Sequence, residues 1–289
     1  MAKKIALIVL SFVLVAGLAI GGSVAYLTDT KEDVNVMVMG DVEIAQHEYE
    51  RVVENGAWVT LLDGNGDPVV DKYGYTPDAL QEFTQNKPLY PAVYDEGRGT
   101  LIWDDRNGSS AASGVGSHQQ SWFEVGSSGS DQLFDDSIKN VMDKIVVVEN
   151  TGAGDAYFRT LIAVECPEGV DSKLIHVNKT SSSKYAWSDT IFVEIDGVRY
   201  VLFVATYQEK LTSGQTARPS FLQVFLDPAA TMEDYRAFNG TMEVIVLTQA
   251  VQTEGFSTPA LALSAAFGDI TETAHPWIDS NSETTTANP

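Results

Sequence analysis

Two apolar segments, Ile191–Ile195 and Val198–Tyr207, are joined by nothing more than Asp196-Gly197. Asp-Gly between β-rich runs is the strongest short-range signal for a two-residue hairpin, because both turn residues must take positive φ. This pattern constrains the whole second half of the chain. Lys144–Glu149 holds the run Ile145-Val146-Val147-Val148, which suits a strand covered on both faces and is ended by Asn150-Thr151-Gly152. Ala156–Cys166 is the next strand, stopped by Pro167, then Ser220–Leu226 stopped by Asp227-Pro228, then the long strand Met242–Gln252. Many strands separated by turn signals predict an all-β chain, a jelly-roll-like β-sandwich. Two short helices break the series. Thr231–Phe238 has Thr231 as its cap and acids in its first turn, and Pro259–Phe267 is a short Ala/Leu segment.

The first half is less regular. Ala57–Leu62 and Pro68–Tyr73 flank Asp63-Gly64-Asn65-Gly66-Asp67 and read as a hairpin. A helical turn is expected over Thr76–Gln85. Residues 95–137 are rich in Gly, Ser and Asp, with strand fragments at Leu101-Ile102-Trp103 and Trp122-Phe123. The expected organisation is one sandwich domain over 26–270, carrying a loop-rich insertion at about 63–137, with a disordered polar tail over 271–289.

Residues 1–25 read as a signal peptide. Lys3 and Lys4 form a positive n-region, Ile5–Ile20 carries no charge, and Gly21-Gly22-Ser23-Val24-Ala25 supplies small residues. Ser23 and Ala25 stand at the −3 and −1 positions of a cleavage site, so the mature chain is expected to start at Tyr26. The apolar stretch is short for a spanning helix, which needs about 20 residues. The membrane is therefore met only by the precursor, and the product is expected outside the cell.

Charge excludes some partners. With 18 basic and 40 acidic residues the formal net charge is -22. Nucleic acid and anionic lipid both need basic patches, which such a chain lacks. Cys166 is the single cysteine, so an intrachain disulfide and a multi-cysteine zinc cluster are both impossible. It is expected to be a small buried residue in a strand.

After the leader the pattern has period two. Val34, Val36, Val38, Val42 and Ile44 fall on even positions, with Asn35, Asp41 and Glu43 on odd ones. Met37 and Met39 interrupt the polar side, so the first part of this strand is expected to be covered on both faces.

The segment Gly21-Gly22-Ser23-Val24-Ala25-Tyr26-Leu27-Thr28-Asp29 resembles the export signal and mature start of the TasA/camelysin family of Gram-positive bacteria. Val36–Ile44, with its central glycine, is similar to that family's first mature strand. Asp143–Gly152 with Ala156–Thr160, and Gln249–Phe256, resemble two further blocks of its clostridial members. The resemblance implies release by a signal peptidase of the SipW type and a jelly-roll sandwich outside the cell. It also implies self-association into biofilm-matrix fibres, in which one subunit's N-terminal strand completes its neighbour's sheet. Tyr26–Met39, with Val34, Val36 and Val38, is the donor-strand candidate. The same alternation serves equally a strand that pairs within its own sheet. The segment 63–137 is longer than in the smallest members, which bears on how assembly proceeds.

No catalytic constellation is legible, and the chain is read as a non-enzyme. His47-Glu48-Tyr49-Glu50-Arg51 begins like a zincin helix but lacks the second histidine, and His47, His118, His176 and His275 share no ligand spacing. Some camelysin relatives are classed as metallopeptidases, which keeps that alternative in view beside a monomeric surface adhesin. Calcium is the better metal candidate, because Asp63, Asn65 and Asp67 occupy positions one, three and five of an EF-type loop. Pro68 and Gly74 stand where glycine and glutamate belong, and a plain hairpin turn is the competing account. No other cofactor is expected. Asn107, Asn178 and Asn239 begin glycosylation sequons without expected meaning in a bacterial protein. Trp58, Trp103, Trp122 and Trp187 are read as packing residues before sugar-binding ones.

Overall fold

The computed structural model describes residues 35–39, 42–55, 57–69, 78–85, 87, 89–94, 117–119, 132–134, 138–179, 184–238 and 241–278. The leader, with Ser23, Ala25 and Tyr26, lies outside them. So do Val34, the fragments at 101–103 and 122–123, Asn107, Asn239 and everything beyond Ile278.

The strands in chain order begin with β1 (Asn35–Met39), β2 (Ile44–Arg51), β3 (Val53–Glu54), β4 (Ala57–Trp58), β5 (Leu80–Glu82) and β6 (Val93–Tyr94). Next come β7 (Ser117–Gln119), β8 (Gln132–Phe134), β9 (Ile138–Lys139), β10 (Met142–Asn150), β11 (Ala156–Glu165) and β12 (Ile175–Lys179). The series closes with β13 (Tyr185–Trp187), β14 (Ile191–Ile195), β15 (Val198–Tyr207), β16 (Phe221–Leu226) and β17 (Val244–Gln252). Helix α1 (Met232–Ala237) precedes β17, and α2 (Pro259–Phe267) comes after it.

Two sheets form the sandwich. The first has the order β1-β17-β11-β15, with β13 and β14 sharing the far edge of β15; the second has the order β12-β16-β10-β2-β5. Among the described strands of the two sheets the chain changes sheet between β1 and β2, β10 and β11, β11 and β12, β12 and β13, β15 and β16, and β16 and β17. That repeated crossing is the jelly-roll-like feature expected from the sequence. Val146, Val177, Phe221 and Val224 of the second sheet meet Ile162, Val164, Phe203 and Val246 of the first in one buried cluster. The Asp196-Gly197 turn has φ of 50° and 78°, as an Asp-Gly hairpin requires.

The odd positions of β11 point away from this core. Leu161 and Ala163 pack with Val193, Leu202 and Leu247 beneath Ile270 and Trp277. Helix α2 covers the neighbouring part of the same face, seating Ala262 and Leu263 on Tyr157 and Val251. Arg159 ties it down, donating from Nε to Gln249 at 2.7 Å and from Nη2 to the Gly268 carbonyl at 2.8 Å. The first helix begins at its expected cap, and the second at Thr258, for which no cap was named from the sequence. Thr231 and Asp234 form a reciprocal capping box, and the Thr258 hydroxyl accepts from Leu261 N–H.

Three expectations are corrected. The helical turn placed over Thr76–Gln85 is not formed across its described part. Leu80–Glu82 is instead strand β5 on β2, because Leu80 completes a cluster with Ile145, Val147 and Leu222. Tertiary packing here overrides local preference. The insertion is also less of an excursion than expected: Leu89 is 1% exposed in the main core, and Pro91 bridges Leu226. Residues 271–278, expected to belong to a disordered tail, are seated on the fold. Thr271 and Ala274 bridge, His275 is buried, and Trp277 packs on the first sheet.

Burial holds the His275 imidazole below its ordinary pKa. A histidine kept neutral in the fold contributes stability above its unfolded pKa and loses it as pH falls through the lower folded value. Acidification from pH 7 to 5 is thus expected to release 271–278 before the sheets melt. Hydrogen exchange at Ile270–Trp277 should rise first, and His275→Gln should flatten that response.

Candidate functional site

The N-terminal strand is the element on which a functional reading turns. β1 pairs with β17 in parallel, from Asn35 opposite Leu247 to Met39 opposite Val251. The other pairings between named strands among the described residues are antiparallel. A parallel ladder is slightly less stable per residue, and among the described residues β1 is bonded along one side only. It is therefore among the least restrained strands of the sandwich. Val36 is half-buried against the cluster of Ile44, Val148, Phe158 and Ala250, whereas Val38 is 44% exposed. The apolar face read from the even valines is only partly used within the chain. Val34, the third of that set, lies outside the described residues.

The backbone between β1 and β2 is held firmly at Glu43. Thr151 and Gly152 N–H groups both donate to the Glu43 carbonyl, at 3.0 and 2.9 Å. The turn making this clamp is organised by Asn150, whose Nδ2 reaches the carbonyls of Gly154 at 2.8 Å and Leu211 at 2.7 Å. Val42 and Ile44 on either side are buried.

The calcium candidate takes the form of a tight turn. Asp63 Oδ1 accepts from Asn65 N at 2.8 Å and Asp67 N at 3.0 Å, Gly66 has φ of 86°, and Leu62 bridges Pro68. Those N–H groups hold the Asp63 carboxyl below its ordinary pKa. Its oxygens thus serve the turn, and Asp63, Asn65 and Asp67 are all exposed. Among the described residues no three His, Cys, Asp or Glu side chains converge.

The remaining chemistry-bearing residues have structural partners. His47 lies in strand β2, not a helix, with Nε2 3.1 Å from Glu149. His176 meets Asp227 at 2.7 Å and stacks on Phe225. Cys166 is fully buried beside Arg199, and burial pushes its thiol up. Asn178 is buried and donates to Gln223 at 2.8 Å, so its sequon is closed to modification in the fold. Trp58 lies under the Arg51 guanidinium at 3.8 Å, and Trp187 packs against the core.

Sequence reasoning missed one arrangement at the end of the sandwich. A cavity of about 370 Å³ lies there, walled by Glu165 and Glu243 on one side and by Lys87 and Lys144 on another. Lys87 is paired with Glu50 and Lys144 with Glu48, and both ammonium groups lie over Phe83. Glu165 is pushed up by desolvation first and then by the charge of Glu243. A cross-strand pairing across the register Val164–Val244 was the only available signal, and the sequence does not display pairings. Comparison of the chain with known proteins finds no matching family model, no matching curated protein and no matching solved structure.

Proposed function

We propose that this chain is a secreted structural protein of the bacterial cell surface or biofilm matrix, assembling through its N-terminal strand. The reading joins the leader-like N-terminus and the resemblance to the TasA/camelysin family with one feature of the fold. That feature is a short strand, parallel, bonded on one side among the described residues and succeeded by a fixed anchor. If β1 leaves β17, an edge of unpaired N–H and C=O groups opens, and an equivalent strand from another copy fits it. Repetition without closure gives a filament. A signal peptidase of the SipW type would free this strand by cutting before Tyr26. The reading assigns the protein no catalytic role.

The test is to trap the pairing. Val38 and Ala250 are register partners, and neighbouring strand positions lie within disulfide reach. In a Val38→Cys/Ala250→Cys variant the buried native Cys166 stays silent. Exchange predicts a ladder of cross-linked multimers on a non-reducing gel, together with filaments in electron micrographs that vanish on deletion of residues 26–39. A disulfide confined to single chains, in protein that stays monomeric at high concentration, would favour the monomeric adhesin instead.

A further inference from the structure

We propose that the cavity at the end of the sandwich is a binding site for a small organic ammonium ion, its charge held by Glu165 and Glu243 and its hydrocarbon body by the end of the core. The site makes no use of the N-terminal strand, so it stands or falls apart from the assembly of copies.

The cavity lies where β10 and β17 begin and β11 ends, so both sheets contribute to its walls. Its volume of about 370 Å³ falls within the roughly 300–1,000 Å³ common to small-molecule sites. Met142, Met242, Phe238 and Val224 line it, and the same side chains close this end of the main buried cluster. Its inner wall is therefore apolar, and the two thioether side chains adapt readily to the shape of a guest.

The charged side chains around this space are not equivalent. Lys87 is paired with Glu50, which also accepts from Gln81 at 2.8 Å and Thr84 at 2.9 Å. Lys144 is paired with Glu48, and its side chain is only 7% exposed. Both ammonium groups also lie over Phe83. An anionic guest would have to draw each lysine off a carboxylate that already holds it. Glu165 and Glu243 have no such match. They are neighbours across β11 and the start of β17, with Glu165 N donating to Glu243 O at 2.9 Å and Glu243 N to a Glu165 carboxylate oxygen at 2.8 Å. The Tyr200 hydroxyl donates to Glu243. Among the described residues these donors are neutral, and one oxygen of each carboxylate has no protein donor. Like charges side by side on adjacent strands are unfavourable. Desolvation and the Glu243 charge both push the Glu165 carboxyl up, and a cation seated beside the pair relieves the second of these. The lysine pairs cancel, so the cavity is left with the negative charge of Glu165 and Glu243. Calcium would want about 6–8 oxygens, and among the described residues no third His, Cys, Asp or Glu converges here. A primary ammonium group asks for far fewer acceptors, and the apolar wall suits the carbon chain behind it.

Phenethylammonium tests the site, with phenethyl alcohol and hydrocinnamate as its neutral and anionic counterparts. Each is titrated at constant ionic strength into the purified protein labelled at its methionine methyl groups. Met142→Leu and Met242→Leu identify the two cavity signals, since such a swap conserves volume. The expected result is a saturable shift of both signals with phenethylammonium. The alcohol and hydrocinnamate should bind at least about tenfold more weakly, as the loss of a hydrogen bond to a charged group implies. Glu165→Gln combined with Glu243→Gln should weaken the ammonium ion by a similar factor. The proposal is overturned if neither signal shifts saturably, if the alcohol or the anion binds as well as the ammonium ion, or if the double variant binds it unchanged. Should that variant not fold, the comparison of the three compounds on the unaltered chain still decides the matter.

Discussion

Replacing Asp143 with alanine is expected to cost the fold about 3–5 kcal/mol, enough to leave much of the protein unfolded at ordinary temperature. The reason is a polar row buried across the second sheet. Asp143 Oδ2 accepts from Arg51 Nε at 2.7 Å and from Arg51 N at 3.1 Å. Its Oδ1 accepts from Arg51 Nη2 at 2.9 Å and Gln223 Nε2 at 2.8 Å. Gln223 in turn accepts from Asn178, so the row runs from β12 through β16 and β10 to β2. The Arg51 and Asp143 side chains are 1% and 4% exposed. Removing one partner leaves the guanidinium without water or counter-ion, apart from Asp78 at 3.8 Å. Replacing both, as Arg51→Met with Asp143→Leu, should be much milder, since two buried charges disappear together. Urea unfolding of the two variants makes the comparison. Equal losses would mean that the geometry of the row, not an orphaned charge, carries the effect.

Gly152→Ala should cost about 1–3 kcal/mol, a large effect for one methyl group on a turn. A Cβ at Gly152 would lie 2.8 Å from the Glu43 backbone nitrogen and 3.3 Å from its carbonyl oxygen. Backbone cannot swing aside as a side chain would, so the clamp on residue 43 must open. The loss should appear as earlier thermal melting with faster amide exchange at Thr151 and Gly152. Gly64, whose added Cβ would meet nothing within 4 Å, supplies the control. If Gly64→Ala and Gly152→Ala melt alike, the anchoring role assigned to this turn is wrong.

Local signals carried well from sequence to structure. The Asp196-Gly197 hairpin, both capped helices and the apolar run of β10 each depend on residues within a few positions of one another. The features that sequence reasoning missed depend on distant partners. Asp143 looks like a polar residue before a strand, and its arginine lies 92 positions away. Leu80 sits in a segment whose Thr-Pro start suggests a helix, and only the cluster around Ile145 makes it a strand. His275 and Trp277 belong to a stretch polar enough to read as tail, yet packing of Ile270 and Trp277 on the first sheet suffices to seat it. The facing of Glu165 and Glu243 comes from a register that emerges only once β11 and β17 are aligned.

The seclusion of Cys166 bears on how any assembled material would endure. A lone sulfur shut inside each copy offers no covalent link between copies, even in an oxidising exterior. Cohesion would have to come from reversible main-chain bonding repeated many times. Such material should dissolve in acid or strong chaotrope while ignoring reducing agents.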